Sequence, residues 1–172
     1  SAGLFVPEGV PPRVTSRLLT ATLLRHLVFE VAWEARVLVI DAPPGTGEEV
    51  QVIAGELPLS AAIVVTTPQD IAQMDAERTL ALLGERGVTV IAAVKNMAWM
   101  TCPHCGERID MYLGSTRLAD AGVETIAELP FGTTVSELVD RGAPLVLADP
   151  RGVAAREFIR IARDVRSALD HL

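Results

Sequence analysis

The sequence predicts an α/β protein in which a mostly parallel sheet is covered by helices to give three layers. Two observations predict this class. Short β-branched runs alternate along the chain with amphipathic helical patterns, and each run is stopped by a polar residue or a proline. Strands that alternate with helices usually form parallel sheets. Because such sheets bind ligands beyond the carboxyl ends of their strands, functional residues are expected directly after the strands.

Three apolar runs are predicted as buried strands, and three longer amphipathic patterns are predicted as helices. The strands are expected in residues 36–41, 61–65 and 88–94, and the helices in residues 13–33, 70–87 and 150–172. The helix at 70–87 has the clearest limits, because Asp70 is a suitable N-cap and Gly87 follows its end. Its apolar face is expected to contain Ile71, Met74, Leu80 and Leu83.

The composition indicates one globular domain over residues 1–172. A formal net charge of −7 argues against a nucleic-acid partner, since nucleic-acid-binding surfaces are usually basic. The apolar runs are far shorter than the roughly 20 residues of a membrane-spanning helix. No basic segment precedes the first apolar residues, so no signal peptide is recognised. We therefore expect a cytoplasmic protein, with no membrane partner, whose thiols stay reduced.

Polar residues follow two of the predicted strands in a way that suits a nucleotide. Asp41 ends the first strand, where a carboxylate can hold a magnesium ion through water. Gly45, Thr46 and Gly47 follow, and glycine amides can approach a phosphate closely because glycine adds no side chain. A tight strand-to-helix turn with a capping acid explains the same residues equally well. Asn96, after the third strand, either pairs with a base or simply ends the strand.

Cys102 and Cys105 are the only cysteines of the chain, and two thiolates are half of the ligands of a tetrahedral metal site. In a reducing compartment, this spacing indicates a metal or redox site rather than a disulfide. The glycine that follows the pair is also typical of a zinc knuckle, in which His104 would face solvent. A thioredoxin-like role is disfavoured, because that motif opens a helix after the first strand of its own fold.

Three stretches, in the same order and nearly in register, resemble the Mrp/ApbC iron–sulfur cluster carriers, a group of MinD/ParA-like P-loop ATPases. They are VLVIDAPPGTGEEVQ, PLSAAIVVTTPQDIAQMDAERTL and VTVIAAVKNMAWMTCPHCGERID. The resemblance implies that Asp41 is the Walker B acid and that residues 45–47 are the switch segment near the terminal phosphate. It also implies that Asn96 reads the adenine edge and that Pro130, in a following loop, packs against the base.

For the cysteines, the resemblance implies that Cys102 and Cys105 of two identical chains together hold one [4Fe–4S] cluster, or alternatively zinc. The implied activity is transfer of the cluster to apo iron–sulfur proteins. Met97 and Trp99, next to the pair, are candidates for an apolar dimer contact that shields the cluster. The competing hypothesis is a catalytically silent, zinc-linked dimer that serves as an interaction module.

The defining Walker A loop of these ATPases is not found in the sequence. The only lysine is Lys95, which is followed by Asn96 and not by serine or threonine. Without the amides and lysine of that loop, nothing visible cradles the β- and γ-phosphates. We therefore expect the chain to be the C-terminal part of such an ATPase, without independent ATP hydrolysis. ATP and Mg²⁺ are expected only if a P-loop-bearing partner chain completes the site.

Two further departures and one structural consequence follow from the resemblance. Glu48 stands where an aspartate is usual, and Gly132 stands where an acid is common, which puts a base or ribose contact in doubt. The missing P-loop strand would normally lie between the strand that ends at Asp41 and the one that ends near Val65. Because open strand edges recruit other chains, we expect these two strands to pair directly or to be completed by another polypeptide.

Overall fold

The computed structural model describes residues 17–114 and 116–172. The chain divides into two compact units, Ser1–Leu57 and Pro58–Leu172. The expectation of one domain over the whole chain stays a prediction.

The first unit contains two helices joined by an ion pair. Helix α1 (Arg17–Arg25) continues directly into a π-helical turn (His26–Glu30), and α2 spans Glu48–Glu56. Arg25 Nε lies 3.0 Å from Glu56 Oε2, which links α1 to α2. The helix predicted at 13–33 is therefore confirmed from residue 17 to residue 30, while residues 13–16 lie outside the described part of the chain.

The strand predicted at residues 36–41 was wrong. Residues 37–43 have no regular secondary structure, and Val39 is 85% exposed. A strand needs a hydrogen-bonded neighbour for its backbone, and none of the described residues provides one for this segment. Direct pairing with the strand near Val65 and completion by another polypeptide both stay predictions.

The second unit contains a four-stranded, mostly parallel sheet, as the α/β class predicts. Its strands are β1 (Ala62–Thr66), β2 (Val90–Thr101), β3 (Arg108–Asp110) and β4 (Thr125–Pro130). Strands β1 and β4 pair in parallel with β2, and β3 pairs antiparallel with the end of β2. Strand β2 is therefore central, and its residues Ala92, Ala93 and Val94 are buried.

Five helices complete the second unit within its described residues. They are α3 (Asp70–Glu85), α4 (Arg117–Asp120), α5 (Thr133–Asp140), α6 (Leu145–Ala148) and α7 (Val153–Leu169). Helix α3 packs on β1, and α7 packs on β4. Ile161 of α7 contacts the buried cluster formed by Val94, Ala127 and Leu129. The predicted helices at 70–87 and 150–172 are thus confirmed, with slightly shorter limits.

Helix α3 differs from the prediction at its first turn and on its buried face. Gln69 is the N-cap residue, and Asp70 lies in the first turn, where the positive end of the helix dipole stabilises its carboxylate. Ile71 is exposed, although it was predicted in the apolar face. The buried residues are Gln73, Ala76 and Leu83, while Met74 and Leu80 are half-buried. Periodicity therefore located the helix correctly, and of the four predicted apolar-face residues only Ile71 is exposed.

Strand β2 runs past its expected end and bends on the way. In its pairing with β4, Lys95 lies opposite Glu128 and Trp99 lies opposite Pro130, so three residues of β2 face only Leu129. The two extra residues form an irregularity at which Met97 has a left-handed φ of 54°. The Met97 N–H donates to Asn96 Oδ1 (2.9 Å). This bend directs the last residues of β2 into a hairpin with β3.

No helix among residues 17–114 and 116–172 combines the length and apolar character that crossing a membrane requires.

Candidate metal centre

The Cys pair lies in the turn between β2 and β3. Residues 99–101 pair with residues 108–110, and the Cys102 N–H donates to the Glu107 carbonyl oxygen (2.7 Å). The Gly106 N–H donates in turn to the Cys102 carbonyl oxygen (2.9 Å). Gly106 has a φ of +77°, which glycine adopts without strain because it has no Cβ. We refer to residues 99–110 as the Cys hairpin.

The two thiols have different surroundings. Cys102 is half-buried. The backbone N–H groups of Cys105 and His104, and then the Cys105 thiol, favour the Cys102 thiolate and lower its pKa, while burial opposes them. Cys105 is exposed, and its Sγ lies 3.8 Å from Glu107 Oε2. Both thiols are free and His104 is exposed, which is also the arrangement expected of a zinc knuckle.

Cys102 is expected to react with iodoacetamide at a lower pH in the folded protein than in the unfolded chain, because the neighbouring amides favour its thiolate. A lowered folded-state pKa also means that Cys102 stabilises the fold above the pKa of the unfolded thiol. That contribution is lost as the pH falls through the folded-state value. The measurement is the alkylation rate of C105S, whose one thiol is Cys102, in buffer and in urea between about pH 5 and pH 10. Equal pH midpoints in the two states would contradict the expectation.

One chain supplies only two ligands at this turn. Among residues 17–114 and 116–172, no group of three or more histidine, cysteine, aspartate or glutamate side chains is arranged to hold a metal ion. Iron–sulfur clusters and structural zinc ions commonly take four protein ligands. The geometry therefore provides half of such a site on an accessible turn.

Exposed apolar side chains flank the Cys hairpin. We call this set the apolar rim; it consists of Met97, Ile109, Met111, Tyr112, Leu113 and Phe131. Two backbone hydrogen bonds hold its segments against β2: Met111 N–H donates to Ala98 O (3.0 Å), and Phe131 N–H donates to Trp99 O (2.7 Å). Exposed apolar residues grouped on neighbouring segments of one sheet are candidates for an interaction site.

The residues implied in nucleotide binding are divided between the two units. Asp41 is exposed in the first unit, and Gly45 has a φ of +81°. Gly47 is the N-cap residue of α2. The Gln51 side-chain amide donates to the Thr46 carbonyl oxygen (3.1 Å), which holds residues 45–47 against the start of that helix. The roles of these residues at a phosphate, and the expectation that nucleotide binding is incomplete in this chain, stay predictions.

Asn96 and Pro130 belong to neighbouring strands of the second unit. Pro130 is the last residue of β4, which corrects its expected place in a loop. The Asn96 side-chain oxygen accepts the Met97 N–H, so its acceptor is already used within the chain. Their roles at a base remain predictions.

Sequence reasoning missed the charged residues that contact the hairpin. The Arg108 guanidinium lies 2.7 Å from Glu128 Oε2 and 5.1 Å from the centre of the Trp99 ring. Trp99 is half-buried, and its Nε1–H donates to the Glu128 carbonyl oxygen (3.1 Å). Charged residues just after a Cys pair are common on surfaces, so the pattern alone gave no signal for these contacts.

The fold and the turn define an α/β protein of the P-loop NTPase type. Among solved structures, the cell division ATPase MinD of Pyrococcus furiosus shares this fold, with a TM-score of 0.64 and 17% identity over 88% of this chain and 59% of that one. A nucleotide-binding protein of Archaeoglobus fulgidus, solved with ADP, has a TM-score of 0.61 and 29% identity over 78% of this chain and 58% of that one.

The chain belongs to the ParA family of NUBPL iron-transfer P-loop NTPases, which it matches over residues 1–166. Over its whole length it is 35% identical to an iron–sulfur cluster carrier protein of Pyrococcus furiosus, and the match covers 59% of that protein. It is also 31% identical to the mouse iron–sulfur cluster transfer protein NUBPL. That match covers 94% of this chain and 52% of the mouse protein. The chain thus spans between half and three-fifths of these relatives, and the resemblance to Mrp/ApbC-type carriers is confirmed.

Proposed function

We propose that this chain binds an iron–sulfur cluster as cargo and passes it to apo iron–sulfur proteins, with Cys102 and Cys105 as its ligands. The observation that carries the proposal is the hydrogen-bonded turn that holds two free thiols between β2 and β3, with backbone amides that lower the pKa of Cys102. Such donors favour the thiolate, which is the form that ligates iron. The relatives named as cluster carrier and cluster transfer proteins support the same activity.

The proposed cluster is of the [4Fe–4S] type and is shared by two copies of the chain. Each copy offers two thiolates, and a twofold axis between the turns would bring four together. The apolar rim supports this arrangement, because pairing two rims would remove apolar surface from water. The same contact would keep water away from the cluster.

Release of the cargo is a ligand exchange in this proposal. A thiolate of the recipient forms a new bond to an iron atom while the bond from that iron to Cys105 breaks, and the same exchange at each of the other three irons completes the transfer. Cys105 leaves as a thiolate, so no electron is gained or lost. Its exposure suits this step, since an incoming thiolate needs access to the iron–sulfur bond. Free thiols also suit a reducing compartment, so a cytoplasmic location is part of the proposal.

Nucleotide chemistry enters the proposal only where a P-loop-bearing chain supplies the phosphate loop. Asp41 would then orient water on Mg²⁺, and residues 45–47 would face the terminal phosphate. Asn96 and Pro130 would contact the base. For the chain by itself we propose no ATP hydrolysis, since its one lysine, Lys95, does not lie in a Walker A pattern.

Anaerobic reconstitution with iron and sulfide, followed by transfer, tests the proposed function. We expect a brown protein with about four irons per dimer, which then activates an apo-ferredoxin with a Cys₄ site. The recipient is separated from the carrier and assayed for iron. A protein that binds zinc tightly, forms no stable cluster and transfers no iron would replace this proposal with the zinc-linked dimer.

A further inference from the structure

The Cys hairpin depends on contacts with the body of the protein for its position. Its second strand, β3, is only three residues long, and all three of its residues are exposed. A two-stranded hairpin of this size is marginally stable by itself in water. The contacts that join the hairpin to the sheet therefore decide where the two sulfurs point.

Two side chains of the hairpin converge on one residue of β4. Arg108 Nη2 lies 2.7 Å from Glu128 Oε2, while its Nε lies 2.7 Å from Asp110 Oδ1. Trp99, on the other strand of the hairpin, donates its Nε1–H to the Glu128 carbonyl oxygen (3.1 Å). The Arg108 guanidinium also covers the Trp99 ring at 5.1 Å. Each strand of the hairpin therefore makes a contact with Glu128, one through Arg108 and one through Trp99.

Arg108 is the fastening point nearest to the thiols. It pairs in register with Thr101, the residue before Cys102. Its neighbour Glu107 accepts the Cys102 N–H, and that hydrogen bond closes the turn. A rotation of the hairpin about β2 would therefore have to break the contact between Arg108 and Glu128.

We propose that Arg108 is a positioning residue that, through Glu128, holds the Cys hairpin in the orientation in which two copies can share one cluster. This inference rests on the proposed function. The guanidinium is neutralised by two carboxylates, so its role is to fix geometry and not to add charge beside the cluster. Lysine would not replace it, because one ammonium group cannot hold both carboxylates in a planar fork and stack on an indole.

Arg160 provides a matched control on the same cavity. A cavity of about 400 Å³ beside β4 is lined by both Arg108 and Arg160. Arg160 pairs with Glu157 (2.7 Å) and donates to the Ile126 carbonyl oxygen of β4. Like Arg108, it thus makes an ion pair and contacts β4. Unlike Arg108, it makes no ion pair or hydrogen bond with the Cys hairpin.

The test compares R108M with R160M, first without any cluster. Methionine keeps an unbranched apolar stem, so each variant loses mainly the guanidinium. In apo R108M we expect amide exchange at Cys102 and Gly106 to be at least about tenfold faster, with the urea midpoint unchanged because the ion pair is half-exposed. In R160M we expect exchange at these two amides to stay at the wild-type rate.

The second readout is the cluster itself. Residues that orient metal ligands typically change metal affinity by about 10- to 100-fold, and we expect R108M to lose its cluster to a chelator faster by a factor in this range. R108K should behave like R108M, and E128A combined with R108M should add little to either change. The proposal would be overturned if R108M exchanged these amides and lost its cluster to the chelator at the wild-type rates. It would also be overturned if R160M showed the same faster exchange and faster cluster loss as R108M. If the wild-type protein binds no cluster, the proposed function fails, while the exchange readout still tests the positioning.

Discussion

Replacing Cys102 or Cys105 with serine is expected to abolish cluster binding, so that iron falls from about four per dimer to background. A serine hydroxyl stays protonated at neutral pH and is a poor ligand for iron. Because the proposed site is symmetric, one substitution per chain removes two of the four ligands. Anaerobic reconstitution of C102S and C105S, with iron and sulfide assays and visible absorption, measures the loss.

His104→Ala is the matched control for this experiment. His104 lies between the two cysteines in the same turn and is exposed, and it is not a ligand in the proposed site. We expect H104A to bind iron as the wild-type protein does. Urea unfolding should be similar in all of these variants, because the turn lies on the surface. Full iron loading in C102S would place the cluster at other residues, and loss in H104A would make histidine a ligand.

Local pattern was enough to predict four elements of the second unit, namely α3, α7, β1 and β2. Helices α3 and α7 have long amphipathic repeats, and β1 is a short β-branched run that pairs with β2, although only Val64 and Thr66 of it are buried. Residues 36–41 have an equally apolar, β-branched pattern, yet they form no strand. A run of this kind favours pairing, but whether it pairs depends on a neighbouring strand that is often far away in the sequence.

The candidate site was predictable only in its two cysteines, which are the proposed ligands. The Cys-x-x-Cys spacing identifies Cys102 and Cys105, because the spacing is itself the chemical signal. The contact between Arg108 and Glu128 spans 20 residues and depends on where β4 lies beside β2. That register contains an irregularity at residues 96–98, which no periodicity in the sequence indicates.

The bend in β2 lies between Asn96 and the Cys hairpin. The family resemblance implies a base contact for Asn96 and cluster binding for the cysteines of the hairpin. Asn96, implied in reading a base, accepts the Met97 N–H at the bend. The Cys hairpin leaves the sheet directly after it. A base that took the Asn96 acceptor would have to replace this internal hydrogen bond. The peptide N–H of Met97 therefore links the hydrogen bonding of the Asn96 side chain to the position of the Cys hairpin.

Replacing Leu113 with aspartate is expected to weaken dimer formation by about 30- to 100-fold. Leu113 is fully exposed in the single chain, so the fold should tolerate the change. In the proposed dimer, its side chain would be buried, and a carboxylate there would lose both the apolar contact and its water. Together these effects cost about 2–3 kcal/mol. Sedimentation velocity over a range of protein concentrations measures the dimer constant.

Leu147→Asp makes the same chemical change at another exposed leucine, on α6 and outside the apolar rim. It adds the same negative charge to a chain that already carries −7, so it reports any general repulsion between copies. We expect L147D to dimerise as the wild-type protein does. Equal losses in both variants, or a wild-type dimer constant in L113D, would place the dimer contact elsewhere.

The iron content of L113D separates the contact from the ligands. A cluster that binds only the dimer also stabilises the dimer, because the two equilibria are linked. Raising the protein concentration should therefore restore cluster loading to L113D, which keeps all four thiols. The same increase should leave C102S without iron, since its dimer lacks two ligands at any concentration. Recovery in both variants or in neither would show that the rim and the cysteines do not act in one shared site.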